Sequence, residues 1–433
     1  MSDAFFRTEM TPPKAPPITE RGVVKWLREN LFAGPYNTIL TLVALYVLYL
    51  FLSSVIPWLL NGVWNANSLQ ECRDIVTASA GEGATGACWA MIRERWNQFI
   101  FGLYPQDLYW RPTLAFGLLL VAIAPVLFPR VPRQLFWLTL FYPAIAFFLL
   151  WGGSIWTPIV AMMGFGVMAL AYRLLVPLTG VTVAALLGVV AAVLWWLFLD
   201  AHVAELLSTA IPVGLRSVGS DEFGGFLLAL VIGVTAISFS LPLGILLALG
   251  RQSDLPIIKM LCVGFIEFIR GVPLITLIFT AALLLGYFLP RGTNFDTILR
   301  VIILVTFFAA AYLAEVIRGG LAALPRGQYE AADALGLDYW RAQRLIILPQ
   351  ALKISIPGIV STFIGLFKDT TLVSFVALLD PLRGVTSVVR ADLNWKGIYW
   401  EPYIFVGAIF FVICFGMSRY SMYLEKKLKT DHR

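Results

Sequence analysis

The sequence predicts an all-α, polytopic membrane protein of about ten transmembrane helices. Three observations carry that expectation. Hydrophobic residues make up 59% of the 433 positions and charged residues only 13%. Mean hydropathy is +0.81, and a soluble chain of this make-up would expose far more apolar surface than it could bury. Finally, the Lys and Arg residues of the short connections fall in alternate loops, as positive-inside topology requires.

A spanning helix needs about 20 apolar residues, so the elements are read from charge-free runs. Five precede the middle of the chain, at 38–60, 112–129, 134–151, 154–172 and 174–199. The first lies too far from the terminus to be a cleaved signal. After a polar stretch at 200–222, five more are drawn at 223–249, 257–289, 301–320, 354–379 and 402–418. The runs 257–289, 301–320 and 354–379 carry charges part-way along, where ionisable groups are expensive and usually face a bundle interior or water.

Arg21, Lys25 and Arg28 precede the first run, Arg130 and Arg133 follow the second, and Arg173 follows the fourth. Arg251 follows the sixth, and Arg419, Lys426, Lys427 and Lys429 follow the tenth. All fall on one side of a ten-span drawing, which puts that side and both termini in the cytoplasm. The expected organisation is a cytoplasmic segment 1–37, a transmembrane region 38–200 with a periplasmic loop 61–111, a periplasmic linker 201–222, a core 223–425 and a cytoplasmic tail 426–433. The net charge of +6 is the bias of such a protein and calls for no nucleic acid.

Cys72 and Cys88 share the loop 61–111, where an oxidising compartment permits a disulfide. Cys262 and Cys414 lie within spans and read as apolar filler. Trp64, Trp89, Trp96 and Trp110 have the character of an interfacial belt.

Glu267 and Arg270 stand three residues apart ahead of Gly271 and Pro273, a spacing at which they could pair on a helix that then breaks. Such a break can line a cavity or be a simple kink near the membrane surface. Glu315 and Arg318 repeat the spacing before Gly319 and Gly320, which are expected to loosen the helix end. A buried structural pair or a cargo contact would each explain them. Lys368 and Asp369 are neighbours and so point in different directions, with Thr370 and Thr371 following. Charges of both signs suit a zwitterionic ligand, and an interhelical tether explains them equally.

The segment 326–358 is a polar island between the eighth and ninth runs. Glu330, Ala331 and Ala332 lie in helix-forming sequence slim enough to enter a groove on a partner. Gly336 can take the left-handed conformation that ends a helix. A second helix is expected from residue 339 to 348, with Arg341 and Arg344 exposed and Pro349 marking the junction with the ninth span.

Several chemistries are excluded. No phosphate-binding Gly-x-x-x-x-Gly-Lys run exists, so the chain does not hydrolyse ATP by itself. His202 and His432 are the only histidines and cannot form an HExxH zinc site. No Gly-x-Ser-x-Gly elbow occurs. No catalytic residue, metal or cofactor is expected.

The spacing of Glu330, Ala331, Ala332, Gly336, Ile346, Leu348 and Pro349 resembles the EAA loop of permease subunits in bacterial ABC importers. AYLAEVIRGG, GQYEAADALG, IILPQAL and KDTTL resemble the polar amino-acid branch that carries histidine, glutamine and arginine, over about 223–425. The N-terminal half makes the chain most similar to the permeases of the general L-amino acid system. The resemblance implies a five-helix type I importer core preceded by about five extra helices, in the bacterial inner membrane. It further implies a second permease in a heterodimer, two ATP-binding subunits docked on the coupling loop 326–353, a periplasmic amino-acid-binding protein and membrane lipid as partners. Glu330, Ala331, Ala332 and Gly336 would form the coupling helix, closed by Ile346, Leu348 and Pro349. Glu267, Arg270, Glu315, Arg318, Lys368, Asp369, Thr370 and Thr371 are the candidates for the substrate pathway. The rival expectation is a self-sufficient ion-coupled carrier using Glu267, Glu315 or Asp369 as its proton or sodium site.

Overall fold

The computed structural model describes residues 22–284, 287 and 296–428. Arg21, Lys429, His432 and the last residues of the run 257–289 lie outside these. The chain divides into two compact units, Met1–Met91 and Ile92–Arg433.

In the first unit a short helix, α1 (Gly22–Asn30), precedes the spanning helix α2 (Pro35–Leu60). Pro35 opens α2 where a missing N–H costs nothing. No residue of α2 is buried, as suits a helix bathed in hydrocarbon. Helix α3 (Leu69–Ala80) begins on Ser68, whose hydroxyl accepts from the Glu71 amide at 3.1 Å. A Cys72–Cys88 disulfide, with Cα atoms 5.9 Å apart, closes a compact fold over α3. Trp89 lies between Trp58 and Trp64, at ring separations of 6.0 and 5.8 Å.

The second unit opens with α4 (Ala90–Phe101, most of it in this unit) and the spans α5 (Trp110–Leu127), α6 (Phe136–Trp151) and α7 (Trp156–Thr179). A fifth span runs through α8 (Val181–Leu194), a π-helical turn and α9 (Asp200–Ala210). Two expectations change here. Arg173 does not separate the fourth and fifth spans: it lies inside α7, because one arginine near a helix end can snorkel to the interface without breaking the ladder. The fifth span does not stop before Asp200 either, since nothing from Asp200 to Ala210 interrupts a helix until Pro212 follows.

The remaining helices are α10 (Gly225–Arg251), α11 (Pro256–Gly271), α12 (Leu274–Phe279), α13 (Thr297–Ala322), α14 (Arg326–Ala334), α15 (Tyr339–Ala342), α16 (Leu348–Asp369), α17 (Pro381–Ala391) and α18 (Trp400–Leu428). Nine helices among the described residues are long and apolar enough to cross a membrane, and α11 with α12 form a pair bent by 103°. Whether that pair crosses is settled by its neighbours. Arg251, at the end of α10, bonds to Glu315 near the end of α13 at 2.6 Å. At the other end of both helices, Leu227, Asp296 and Ile298 line one cavity. Helices α10 and α13 therefore run in the same direction, so the bent pair counts as one returning span and the described residues hold ten. The break at Val272-Pro273 turns α12 to pack antiparallel to α13, with Arg300 Nη1 donating to the Ala282 carbonyl at 3.0 Å.

Gly319 and Gly320 do not loosen α13, which continues to Ala322. Gly320 instead lets α16 approach, because a Cβ there would overlap Ser355 Oγ and the Ala351 carbonyl. The other end of α16 passes through a 3₁₀ turn, Thr370–Val376, to α17. Asp380, fully buried, caps α17 by accepting from the Leu382 and Arg383 amides at 3.0 Å each.

Burial raises the Asp380 carboxyl to about 6 from 3.8, against the pull of the Arg383 and Leu382 amides. A raised carboxyl favours the fold while protonated, so its contribution is complete below 3.8 and is lost as pH rises through about 6. Asp380→Asn keeps a capping acceptor but cannot ionise. It is expected to flatten the pH dependence of thermal unfolding in that window, and an unchanged slope would contradict the assignment.

Candidate functional site

Three helix ends converge on one carboxylate. Glu315 Oε1 accepts from Arg251 Nη1 at 2.6 Å and lies 3.8 Å from Arg270 Nη1, while its Oε2 is 2.9 Å from Arg318 Nη2. Glu267 joins through Arg251, at 2.9 Å. The Glu315 side chain is only 17% exposed, and a carboxylate so placed is tolerable because opposite charge surrounds it. Arg270 also stands over the Tyr312 ring at 5.5 Å.

The expected Glu315–Arg318 pair forms, whereas Glu267 and Arg270 do not pair with each other. Each reaches across to another helix because α11 lies against the ends of both α10 and α13. Arg251, read from the sequence only as an orienting loop charge, is the link between them. Its signal was its place at the end of an apolar run, beside two further runs that end in acid and base.

The island follows directly from α13. Helix α14 presents Glu330 and Ala331 to solvent while Ala332 is buried, so the two alanines of the motif face opposite ways. Gly336 has φ of +69°, its N–H bonds to the Asp333 carbonyl at 2.9 Å, and the Leu337 N–H bonds to the Ala332 carbonyl at 3.2 Å. This Schellman pattern satisfies the last carbonyls of the helix, and its left-handed position favours glycine. Asp338 then caps α15, accepting from the Arg341 amide at 2.8 Å.

The return differs from expectation. Pro349 marks no junction, because α15, a π-helical turn at Gln343–Ile347 and α16 form one continuous span. The wider turn makes room for the proline ring and its missing N–H. Tyr329, Ile346 and Leu348 pack on the cluster of Leu249, Ile266, Leu313, Ile317, Leu321 and Ile347, which descends between the spans. Gln350 Nε2 donates to Gln328 Oε1 at 3.0 Å and ties α14 to α16. Around this rooted base Leu335, Tyr339, Trp340 and Leu345 remain exposed beside Arg341 and Arg344.

Lys368 and Asp369 diverge as neighbours on a helix must. Lys368 faces a groove of about 440 Å³ lined by Ser361, Ser418, Ser421 and Glu425. Asp369 faces one of about 250 Å³ lined by Phe308, Tyr312 and Thr362. Thr370 is completely buried and donates to the Phe367 carbonyl at 2.7 Å, so in this conformation it meets no cargo. The Thr371 hydroxyl donates to the Lys368 carbonyl at 2.9 Å.

Residues 240–430 match the family described as "Binding-protein-dependent transport system inner membrane component". The glutamate/glutamine/aspartate/asparagine transport system permease protein BztC of Rhodobacter capsulatus is 66% identical over 100% of both chains. The inner membrane amino-acid ABC transporter permease protein YhdY of Escherichia coli is 37% identical over 97% of this chain and 96% of its own. The glutamate/aspartate import permease protein GltK of Escherichia coli is 31% identical, and 47% of this chain covers 91% of it. Among solved structures, "an amino acid ABC transporter with histidines" has 30% identity over 47% of this chain and 91% of its own, with a TM-score of 0.42.

The chain belongs to the amino-acid ABC transporter permeases. It is a multi-pass subunit of the bacterial inner membrane in an ATP-driven importer and is not an enzyme. An importer of this kind works with a separate ATPase and a binding protein. That membership sets aside the self-sufficient ion-coupled carrier, and with it the use of Glu267, Glu315 or Asp369 as a coupling-ion site.

The junction makes a quantitative expectation. Glu315→Ala leaves three arginines without their shared partner and should cost on the order of 3 kcal/mol. Glu267→Ala removes a carboxylate that is 55% exposed and should cost under about 1 kcal/mol. Apparent melting temperatures in detergent separate the two, and equal shifts would contradict the ranking.

Proposed function

We propose that this chain is one permease of a heterodimer that imports L-amino acids with acidic or amide side chains, driven by two ATPases that press on the loop 326–353. The substrate class rests on BztC, whose name specifies glutamate, glutamine, aspartate and asparagine. The observation that carries the mechanical reading is the rooted island: an exposed Glu330 on a slim helix whose base is buried in the same apolar cluster as three spans.

The distribution of basic residues supports a cytoplasmic island and cytoplasmic termini, with Arg251, Arg318, Arg341 and Arg344 at the island end. Closure of the ATPases around ATP then pushes α14. Because Tyr329 and Gln328 fasten α14 to α16, the push passes to α13 and α16, and the opposite end opens to receive cargo from a periplasmic binding protein. ATP shifts the equilibrium only by binding the closed ATPases more tightly than the open ones.

Cargo recognition would fall to the grooves beside Lys368 and Asp369. The two grooves are separate, so each offers one contact: the Lys368 ammonium suits the carboxylate of an amino acid, and the Asp369 carboxylate suits its ammonium. Glu267, Arg270, Glu315 and Arg318 serve the structure instead of the cargo, since their charges are spent on one another and on Arg251. The Cys72–Cys88 bridge is read as a periplasmic staple.

Two substitutions test the coupling. Glu330→Ala should leave membrane insertion intact and reduce both uptake and ATPase co-purification at least about tenfold, equivalent to ~1.4 kcal/mol. Gly336→Pro should do the same, because proline cannot adopt the φ of +69°. Uptake at the wild-type rate in either variant would contradict the reading.

A further inference from the structure

The end of the molecule opposite the island holds an arrangement that the import reading does not use. Trp395, fully buried, lies in the loop between α17 and α18, and its indole N–H donates to Glu94 Oε2 at 3.0 Å. Asp392 in the same loop bonds to the neighbouring Arg95. Its other oxygen accepts from the Asn394 amide at 3.0 Å and so holds the turn Leu393–Trp395. Glu94 and Arg95 are themselves 3.6 Å apart, which aligns the two contacts as one network.

Both residues come from α4, which precedes the permease core by more than a hundred residues. The rest of α4 is equally committed. Phe99, fully buried, and Trp96 pack on Phe405 of α18, at ring separations of 5.7 and 5.3 Å. Beyond them the backbone of Gly102 bridges Phe223, and a Cβ at Gly225 would overlap the Phe99 carbonyl. Helix α4 thus touches the start of the first core span, the start of the last and the loop leading into it. Permeases such as GltK, 91% of whose length is matched by 47% of this chain, do without the remaining half. The half that they lack is therefore not needed to make a core, yet here it grips one loop of the core with a buried indole and an ion pair.

We propose that α4 is a fixed strap across the loop between the last two spans, that Glu94 and Arg95 are its positioning residues, and that the strap sets the geometry of the mouth at which cargo is received. The last clause rests on the orientation argued under the proposed function; the strap itself does not. Ion pairing and burial oppose movement of this loop relative to α4, so the opening at this end must come from α13 and α16 moving past a stationary rim.

The test uses the full importer with its ATPases, second permease and binding protein, reconstituted in membranes. A nitroxide at Leu393, which is 86% exposed, reports the mobility of the loop without reference to transport. Arg95→Ala should sharpen its spectrum and raise the KM for uptake several-fold with Vmax within about twofold, whereas a merely structural lesion would lower Vmax through loss of protein. Arg95→Asp with Asp392→Arg should restore both readouts. An unchanged spectrum, a loosened loop with unchanged KM, or failure of the exchange to restore either readout overturns the proposal. If the wild-type complex takes up no amino acid, the import reading fails while the nitroxide still decides whether the strap exists.

Discussion

The carboxylate of Glu315 is the point from which the geometry of the permease core can be reconstructed. It stands near the end of a long apolar helix, where an isolated negative charge would be strongly disfavoured. Three guanidinium groups from three helix segments remove that penalty only if α10, α11 and α13 end together. The electrostatic requirement is therefore also a topological one. It makes α10 and α13 parallel, obliges the segment between them to recross the bilayer, and accounts for the sharp break between α11 and α12. Each consequence follows from how much a buried charge costs when its partners are elsewhere.

Helix α13 carries this junction directly into the island. Only a short turn separates Ala322 from α14, and the apolar cluster beneath it continues from Leu249 and Ile317 to Tyr329 and Ile346 without a gap. Close packing transmits displacement because a packed cluster has few alternative arrangements. The island has one exposed face and one face rooted in the spans, which is what the proposed coupling to the ATPases requires. Lys368 and Asp369 sit further along α16, the helix on which the island returns, so a tilt of α16 would move the island and the two charged grooves together.

Much of this was legible from composition and local chemistry. The spans declared themselves because hydrocarbon tolerates few charges, and Gly336 declared itself because only glycine ends a helix cheaply in the left-handed region. The divergence of Lys368 and Asp369 followed from helical periodicity alone. What escaped were features decided by distant neighbours. Glu267 and Arg270 had the spacing of a pair, yet α11 presents both to other helices. Pro349 looked like a break until a π-helical turn absorbed it. Glu94, Arg95 and Trp395 carried no signal at all, since about 300 positions separate the partners and nothing local marks them.

If the ATPases press on the island as proposed, the island and the charged junction move as one body when nucleotide binds. Spin labels at Leu335 on the island and Lys259 on α11 would report their separation by double electron–electron resonance in the nucleotide-free and ATP-bound complex. This distance is expected to stay constant while the distance from Leu335 to Leu393, at the opposite end, changes. A Leu335–Lys259 distance that shifts with ATP would mean that the island slides over the junction, and would contradict the proposed coupling.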